Sequence, residues 1–404
     1  MKVLLINSVC GTGSTGRICT DLAAEFEAQG HEVKIAYGRQ DAPKQFQKYG
    51  VRIGSKGDLI FHALQTRFLD AHGFGSVRAT KKFLQWADSY NPDLLWIHNL
   101  HGYYVNLELL FDWIKKRPNM QVKWSLHDCW AFTGHCSHFT YVSCDQWRTG
   151  CKKCSQSYRY PASLFDNCRK NYLRKKAAFT GVKNMTLITT SQWLTDLVKV
   201  SFLGEYPVQL QYNKIDTNVF KPTPSDFRQK YKLDNKKIVL AVASVWEERK
   251  GFYDILRLGK MLDDRYALVM VGLSDQQRQQ MPRTLDVLAK NPDKWKMAGD
   301  VRGEIIYGAD GCVAVPTDVN ALYREITGEE YVADAIRKPA AMLFLGRTNS
   351  PRELAEIYTA ADVFANATYE DTYPTVNLEA RACGLRVVTY NVCGTPETIC
   401  QDYR

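Results

Sequence analysis

The chain has no long hydrophobic run, although 45% of its 404 residues are hydrophobic. A helix needs ~20 consecutive apolar residues to span a bilayer, and no stretch of this sequence approaches that length. The first apolar run is too short for a signal peptide and leads directly into a polar turn. Low-complexity tracts and short repeats are also missing. We therefore expect a globular, cytoplasmic protein whose length suits roughly two or three domains.

Acidic residues are outnumbered: 43 Asp and Glu stand against 53 Lys and Arg, a formal net charge of +10. This balance favours anionic partners such as phosphates, lipid head groups or nucleic acid, without selecting one of them. In a reducing cytoplasm the twelve cysteines are expected as thiols or metal ligands rather than as disulfides. Six of them lie within about forty residues, from Cys129 to Cys168.

Strand and helix patterns alternate along both halves of the chain. "KVLLIN", "HEVKIAY", "DLLWIHN" and "QVKWSLHD" are typical of buried strands, and helix-like stretches separate them. After a polar, proline-containing segment (213–227) a second set begins with "KIVLAVAS". The pattern predicts an α/β protein with two doubly wound parallel sheets. We place the domains at 1–215 and 216–404, with the hinge in the polar segment.

The glycine-rich stretch "CGTGSTG" (10–16) follows the first strand and opens the first helix. Gly11, Gly13 and Gly16 satisfy the G-x-G-x-x-G pattern of dinucleotide-binding folds, in which the helix N-terminus holds phosphate. An NAD enzyme also needs an acid after the second strand, where this chain has Arg39. An NADP-dependent oxidoreductase and a loop that only serves packing remain alternatives. The candidate phosphate- or acceptor-binding residues are Gly13, Ser14, Thr15, Gly16 and Arg17.

A second cluster of polar residues lies in "FANATYEDTYPTVNLEARACG" (364–384). Glu370 and Asp371 follow a predicted strand, and Glu379 lies inside the next helix. Ionised carboxylates accept hydrogen bonds from sugar hydroxyls, and a helix N-terminus can hold a phosphate. The helix dipole alone would explain the first two acids, but explains Glu379 less well because its neighbours are apolar. The segment therefore favours a nucleotide-sugar site, with three residues at the helix entrance: Tyr373, Pro374 and Thr375.

Several motifs, in this order, resemble those of the retaining GT-B glycosyltransferases, the family of bacterial glycogen synthases and lipopolysaccharide glycosyltransferases. They are "NKIDTNVFKP", "SVWEERKGF" and "ELAEIYTAADVFANATYED", followed by a D-x7-E pair. The resemblance implies two Rossmann-like domains facing across a cleft, the first for the acceptor and the second for the nucleotide sugar. It implies that Arg249 and Lys250 neutralise the donor diphosphate. It also implies that Asp371 holds donor-sugar hydroxyls and Glu379 the ribose, with Glu370 as a rival for the first role.

The activity that this resemblance implies is transfer of a hexose from a UDP- or GDP-sugar to a sugar or lipid-linked hydroxyl, with retention. Synthesis of bacterial capsule, exopolysaccharide or lipopolysaccharide is the expected context, with no cofactor required for catalysis and no nucleic-acid partner. No D-x-D metal motif is present. A non-catalytic nucleotide-sugar-binding protein is an alternative. The basic run 169–179 is a candidate for peripheral contact with the inner membrane face, or is simply a solvated helix face.

The region "LHDCWAFTGHCSHFTYVSCDQWRTGCKKC" (126–154) combines histidines and cysteines. A C-x2-C closes a four-cysteine set that suits structural zinc, Cys136, Cys144, Cys151 and Cys154. The alternative is a set of thiols packed around Trp130 and Trp147. A similar cysteine loop occurs in a bacterial subgroup of the family. By the same resemblance His127 contacts the donor, and we predict His98, His101 and Asp128 as acceptor contacts.

The segment 283–341 departs from the family pattern. Within it, "GADGCVAVPTDVNALYREI" (308–326) resembles the segment that relatives carry after their G-T-P-E motif. If it is that segment displaced upstream, it should pack beside the strand at 387–391. If it is an insertion, 283–341 should form a separate lobe.

Overall fold

The computed structural model describes residues 1–290, 303–333 and 337–401. The chain divides into unit 1, Met1–Gln211, and unit 2, Tyr212–Arg404. Each unit contains a seven-stranded sheet with helices in its crossover connections. The α/β prediction with two Rossmann-like domains is therefore confirmed. Within the described ranges no helix combines the length and apolarity that crossing a membrane requires.

Unit 1 alternates strands and helices as its sequence predicts. Its strands are β1 (Lys2–Ile6), β2 (Glu32–Tyr37), β3 (Gly50–Arg52), β4 (Leu94–Ile97), β5 (Gln121–Leu126), β6 (Met185–Thr189) and β7 (Val208–Leu210). Its helices are α1 (Gly13–Ala28), α2 (Lys56–Leu69), α3 (Val77–Tyr90), α4 (Leu107–Lys115), α5 (Cys168–Phe179) and α6 (Gln192–Lys199). The strand order is β3-β2-β1-β4-β5-β6-β7, and every pair is parallel.

The apolar strand β1 lies near the centre of this sheet, with Val3, Leu4, Leu5 and Ile6 fully buried. Helices cover both faces of a parallel sheet, so a central strand is continuously apolar rather than alternating. Strand β2 lies on one side of β1, and β4 lies on the other side. Ligands in such sheets bind at this switch point, at the carboxyl ends of the strands. The loops that begin at residues 7 and 98 lie there.

Unit 2 follows the same plan. Its strands are β8 (Lys237–Val242), β9 (Tyr266–Val271), β10 (Ile306–Tyr307), β11 (Val313–Val315), β12 (Ala341–Leu345), β13 (Val363–Asn366) and β14 (Arg386–Tyr390). Its helices are α7 (Phe227–Lys230), α8 (Phe252–Met261), α9 (Asp275–Lys290), α10 (Val319–Thr327), α11 (Pro351–Ala360), α12 (Thr375–Ala382) and α13 (Glu397–Cys400). The strand order is β10-β11-β14-β13-β8-β9-β12, and the switch point lies between β8 and β13.

The segment 308–326 is part of this sheet. β11 pairs with β14 in parallel, with Val313 opposite Val388. Asp318 caps α10, because its side chain accepts a hydrogen bond from the N–H of Asn320. The strand thus lies beside β14, where a displaced segment is expected, and its described part forms no separate lobe. The parts of 283–341 at 291–302 and 334–336 lie outside the described residues.

Candidate active site

The carboxyl ends of β8 and β13 bring the predicted donor residues of unit 2 together. Lys250, in the loop after β8, forms an ion pair with Asp371, in the loop after β13. The side chains of both are about one-fifth exposed, so a ligand can reach them. Asp371 also accepts a hydrogen bond from the N–H of Tyr373 at 3.2 Å through its other oxygen. The structure therefore joins two residues that lie 121 positions apart.

Backbone hydrogen bonds hold the two loops in contact. The carbonyl of Arg249 accepts from the N–H of Tyr369 at 2.8 Å and from the hydroxyl of Thr368 at 3.3 Å. Gly251 begins α8 with φ of +70°, and a Cβ there would lie 2.1 Å from the carbonyl oxygen of Ala367. Only glycine combines this backbone conformation with so close an approach. The position of the basic pair Arg249 and Lys250 thus depends on the glycine after it.

The two rival acids occupy different environments. Glu370 is 1% exposed, whereas the side chain of Asp371 is 23% exposed and carries the ion pair to Lys250. The N–H of Gly394 donates to the Asp371 carbonyl at 3.2 Å, which adds the loop after β14 to the site. Asp371 is in contact with the basic loop through this ion pair.

The entrance of α12 supplies the remaining donor candidates. Glu379 is 7% exposed and accepts a hydrogen bond from the hydroxyl of Tyr358 at 3.3 Å. Pro374 is the residue before the helix, and Thr375 is its first residue. Tyr373 is buried against Tyr212, with ring centroids 5.1 Å apart. Its hydroxyl has no hydrogen-bond partner within the described residues, and such groups call for an explanation.

In unit 1 the glycine-rich loop lies at the switch point after β1. The helix begins at Gly13, inside the glycine-rich stretch, with Gly13, Ser14 and Arg17 exposed. The amide of Asn7 donates to Thr15 Oγ1 at 3.4 Å, and its oxygen accepts from the N–H of Asn99 at 3.2 Å. These contacts tie the loop to the residues after β4. No acid ends β2, since the residue beyond Tyr37 and Gly38 is Arg39.

His98 and His127 follow β4 and β5 and lie side by side. Their ring nitrogens, Nδ1 and Nε2, are 3.2 Å apart, and the rings are stacked with centroids at 5.5 Å. Burial lowers the pKa of His127 to about 4 and that of His98 well below its ordinary value. Both imidazoles are therefore neutral near pH 7, so each can donate one hydrogen bond and accept another.

His101 and Asp128 form a second pair at the same edge. The Asp128 carboxylate lies 2.9 Å from His101 Nε2 and accepts from the N–H of Trp130 at 2.9 Å. The pKa of Asp128 is lowered, because the charge and hydrogen bond of His101 outweigh the effect of burial. His101 Nδ1 lies 3.2 Å from the hydroxyl of Tyr160. The sequence analysis missed Tyr160, since nothing in its neighbourhood marks it as a partner of His101.

Comparison with known proteins connects these sites to a family. Residues 327–404, which contain Asp371, Glu379 and the α12 entrance, match the family described as "Glycosyl transferases group 1". This C-terminal part of the chain is similar to the group 1 glycosyl transferases. The chain is 27% identical over 232 residues to the colanic acid biosynthesis glycosyl transferase WcaC of Escherichia coli (strain K12). The match covers 54% of this chain and 55% of WcaC, so the chain spans about half the length of this curated relative.

Solved structures are similar to this chain in fold. Sucrose-phosphate synthase from Thermosynechococcus elongatus matches with a TM-score of 0.59 and 15% identity, over 97% of this chain and 82% of its own. Anabaena Alr3699/HepE in complex with UDP matches with a TM-score of 0.57 and 14% identity, over 98% and 82%. At these identities the likeness concerns the fold alone. The predicted GT-B fold is thus confirmed.

The cysteine-rich loop of unit 1 packs around aromatic rings. Phe139 stacks on Trp147 with centroids 5.0 Å apart, and Phe132 lies 5.2 Å from the same indole. The buried ammonium of Lys175 lies 3.6 Å from the Trp130 ring and donates to the carbonyl of Thr133 at 3.1 Å. Aromatic rings and the side chain of Lys175 therefore form the packed interior of this loop.

The four candidate zinc ligands lie in this loop as free thiols. A hydrogen bond with Cys136 lowers the pKa of Cys154 to about 7, and burial raises that of Cys151 to about 11. The N–H of Gly134 donates to Cys151 Sγ at 3.2 Å. Within residues 1–290, 303–333 and 337–401 no three His, Cys, Asp or Glu side chains are arranged to hold an ion. Zinc binding by Cys136, Cys144, Cys151 and Cys154 stays a prediction.

One buried residue of the donor region, Asp254, was not predicted from the sequence. Asp254, in α8, is 4% exposed and accepts hydrogen bonds from the hydroxyls of Tyr369 and Tyr390. It also forms an ion pair with Arg257. Asp254 thereby connects helix α8 and the loop after β13 to β14. An acid on an otherwise apolar helix face was the available signal.

Proposed function

We propose that this chain is a retaining glycosyltransferase that moves a hexose from a UDP- or GDP-sugar to a hydroxyl acceptor. The observation that carries the proposal is the Lys250–Asp371 ion pair at the switch point of unit 2. It puts a cation for phosphate and a carboxylate for sugar hydroxyls at the edge where doubly wound sheets bind ligands. The match of residues 327–404 to the group 1 glycosyl transferases supports it, as does the complex of Alr3699/HepE with UDP.

In this proposal the donor diphosphate takes the place of Asp371 as the partner of Lys250. Arg249, from the same short helical turn, adds a second cation, and the free N–H groups at the start of α12 add the positive end of its dipole. Asp371, freed from its ion pair, accepts from hydroxyls of the donor sugar. Glu379 accepts from the ribose hydroxyls, and the hydroxyl of Tyr373 gains a partner. No resident metal or cofactor is required for catalysis.

The chemical step follows from retention. The acceptor oxygen attacks the anomeric carbon on the face that the leaving group vacates, and the bond from that carbon to the diphosphate breaks. The departing phosphate oxygen takes the proton of the acceptor hydroxyl, so no protein nucleophile is needed. Fixed cations stabilise the negative charge that develops on the leaving group, which is where electrostatic catalysis acts.

We assign acceptor recognition to unit 1. His98 and the His101–Asp128 pair offer neutral or hydrogen-bonded polar groups beside aromatic rings, which suits a sugar. Gly13 to Arg17 offer backbone N–H groups and a cation for a phosphate on the acceptor or donor. The similarity to WcaC supports surface polysaccharide synthesis in the cytoplasm as the context. A lipid-linked acceptor at the inner membrane face fits the basic composition.

The decisive experiment measures nucleotide binding and turnover separately. UDP and GDP are each added during thermal unfolding, because a ligand at 100 times its Kd stabilises the folded state by about 2.7 kcal/mol. Sugar release from UDP- and GDP-sugars is then compared between wild type, Glu379→Ala and a control, Glu356→Ala on α11. We expect Glu379→Ala alone to abolish nucleotide stabilisation and turnover. Stabilisation by NADPH and by neither nucleotide would contradict the proposal, and binding without turnover would indicate a binding protein.

A further inference from the structure

Exposed hydrophobic side chains are concentrated in one part of unit 1. Of the seventeen large hydrophobic residues that are exposed in the described ranges, eleven lie within 60–77 and 158–173. Scattered single residues of this kind are normal, but a contiguous exposed patch marks an interaction surface. The concentration therefore calls for a partner.

Helix α2 presents the main part of this patch. Its residues Ile60, Phe61, Leu64 and Phe68 are 49–63% exposed, and their spacing places them on one face of the helix. On the opposite face His62 and Thr66 are fully buried against unit 1. A capping box between Ser55 and Asp58 stabilises the N-terminus of the helix. It is thus an ordered amphipathic helix whose larger side chains point away from the core.

The chain around residue 165 extends the patch. The N–H of Leu164 and the hydroxyl of Ser163 both donate to the carbonyl of Arg67, near the end of α2. This places Leu164 and Phe165, which are 59% and 61% exposed, beside Phe68 and Leu69. We call the set Ile60, Phe61, Leu64, Phe68, Leu69, Leu164 and Phe165 the apolar patch.

Cations border the apolar patch. The start of α5 is fixed to the end of α2, because Asn167 and Asn171 donate to the carbonyls of Leu69 and Asp70. The exposed residues of α5 that follow include Arg169, Lys170 and Lys176, and Leu173 among them is 57% exposed. Further cations, Lys56 and Arg67, are exposed on α2 itself.

Fewer acids than cations lie at this border. Asp166, next to Phe165, is exposed and accepts hydrogen bonds from the N–H groups of Cys154 and Cys168. Asp58 is engaged in the capping box, and Asp70 is buried with His135. The exposed cations outnumber these acids, so the border of the apolar patch is net cationic.

We infer that the apolar patch and its basic border bind the surface of an anionic lipid bilayer. An apolar helix face flanked by Lys and Arg is the composition of helices that lie in the membrane interface. Each cation near an anionic surface strengthens binding, while the apolar side chains enter the boundary of the acyl chains. The charge pattern favours lipid over a second copy of this chain, because a symmetric dimer through this patch would bring like charges together.

The inference locates membrane contact differently from the sequence analysis. Only part of the basic run 169–179 is a solvated helix face, because Lys175 and Phe179 of that run are buried. What the sequence could not show is that α2 and Leu164–Phe165 add apolar area next to Arg169 and Lys170. The inference stands independently of the proposed function, because binding to lipid is measured without donor or acceptor.

The test is flotation with vesicles of phosphatidylcholine, either alone or mixed with about 30% phosphatidylglycerol. The phosphatidylglycerol makes the vesicle surface anionic. Three proteins are compared with wild type: Phe61→Ser/Phe68→Ser/Phe165→Ser, Arg169→Gln/Lys170→Gln, and the control Val200→Ser. Val200 is 52% exposed and belongs to unit 1 but not to the patch. Unchanged far-UV circular dichroism and unchanged melting temperature show that each variant is folded, as expected for changes at exposed sites.

We expect wild type and Val200→Ser to float with anionic vesicles, and the triple serine variant to lose at least roughly tenfold in partitioning. The Arg169/Lys170 variant should lose on the order of tenfold on anionic vesicles only. The inference is overturned if wild type does not float, or if the triple variant floats like wild type. It is also overturned if the patch instead mediates a dimer, seen as a mass in light scattering that the triple variant halves. Nucleotide stabilisation should be the same in all four proteins, which separates this result from the proposed function.

Discussion

The two sheet edges of this chain share a topology and differ in chemistry. In unit 1 the loops after β1, β4 and β5 carry imidazoles, amides and aromatic rings, with burial holding His98 and His127 neutral. In unit 2 the loops after β8 and β13 carry the Lys250–Asp371 ion pair. All eight histidines of the sequence lie in unit 1. The fold fixes where a ligand binds, and the residues in the loops fix which chemistry it meets.

The largest effect is expected when the ion pair in the loops after β8 and β13 is removed. Lys250→Ala removes the cation proposed for the diphosphate, and loss of one such preorganised group costs roughly 10²–10³ in turnover. We expect kcat/KM for the nucleotide sugar to fall by about that factor, measured by release of the nucleotide. Lys260→Ala, at an exposed position in the last turn of α8, is the matched control. A Lys250→Ala enzyme within twofold of wild type would show that the diphosphate binds elsewhere.

The second prediction separates the two acids of unit 2. Asp371→Asn should lower kcat/KM for the donor by roughly 10- to 100-fold, since it removes a charged acceptor of hydrogen bonds, with little change in melting temperature. Glu370→Gln should lower the melting temperature by about 2–6 °C, because Glu370 is buried. Thermal unfolding and initial rates on both variants decide the matter. If Glu370→Gln abolishes turnover without changing the melting temperature, the two roles are reversed.

The third prediction concerns the stability of unit 1 in acid, because this unit contains buried neutral histidines. Burial lowers the pKa of His62 to about 4, whereas an unfolded histidine titrates near 6.5. Below pH 6.5 the unfolded chain therefore binds a proton that the folded chain does not, and stability is lost as pH falls toward 4. For His62 alone this amounts to on the order of 2 kcal/mol at pH 5. The Asp70–His135 pair, whose histidine pKa is raised, opposes the trend.

Tryptophan fluorescence reports this effect, since seven of the nine tryptophans belong to unit 1. The melting temperature should fall between pH 7 and pH 5, and His62→Gln should reduce that slope. His31→Gln, at a partly exposed histidine, is the control. A slope that His62→Gln leaves unchanged would contradict the assignment.

The smallest expected effect sharpens the comparison at a single hydroxyl. Tyr373→Phe removes a buried hydroxyl that has no partner within the described residues, so the unliganded protein should keep or slightly raise its melting temperature. Its affinity for UDP or GDP should fall by about 3- to 10-fold if the nucleotide sugar supplies the missing partner. Tyr390→Phe loses a 2.8 Å hydrogen bond to Asp254 and should be less stable without ligand. If the two variants have the same melting temperature and the same nucleotide affinity, Tyr373 does not contact the nucleotide sugar.

Much of the fold could be predicted because its signals are local. Continuous apolar runs such as Val3–Ile6 predict buried strands, and glycines at 11, 13 and 16 predict the turn after β1. The short strand β3 is too polar and too brief to be recognised. The resemblance in motif order predicted Lys250 and Asp371 separately as donor residues. Their ion pair depends on the sheet, which aligns β8 and β13 despite their separation in sequence.

Other features could not be predicted because they depend on contacts between distant residues. Asp254 becomes important only when Tyr369 and Tyr390 reach it. The apolar patch extends beyond α2 only because residue 164 bonds to the end of that helix. Single-sequence patterns report which residues are apolar, but not whether a large apolar side chain faces the core or the solvent.

The pairing of β11 with β14 has a consequence for synthesis on the ribosome. Val313 emerges long before its partner Val388, and at ~5–20 residues per second the nascent strand waits for several seconds. During that time β11 has only β10 beside it, and its other edge is open to wrong partners. Assembly of the unit 2 sheet is thus ordered in time, because β10 and β11 join the other strands only when β14 has been made.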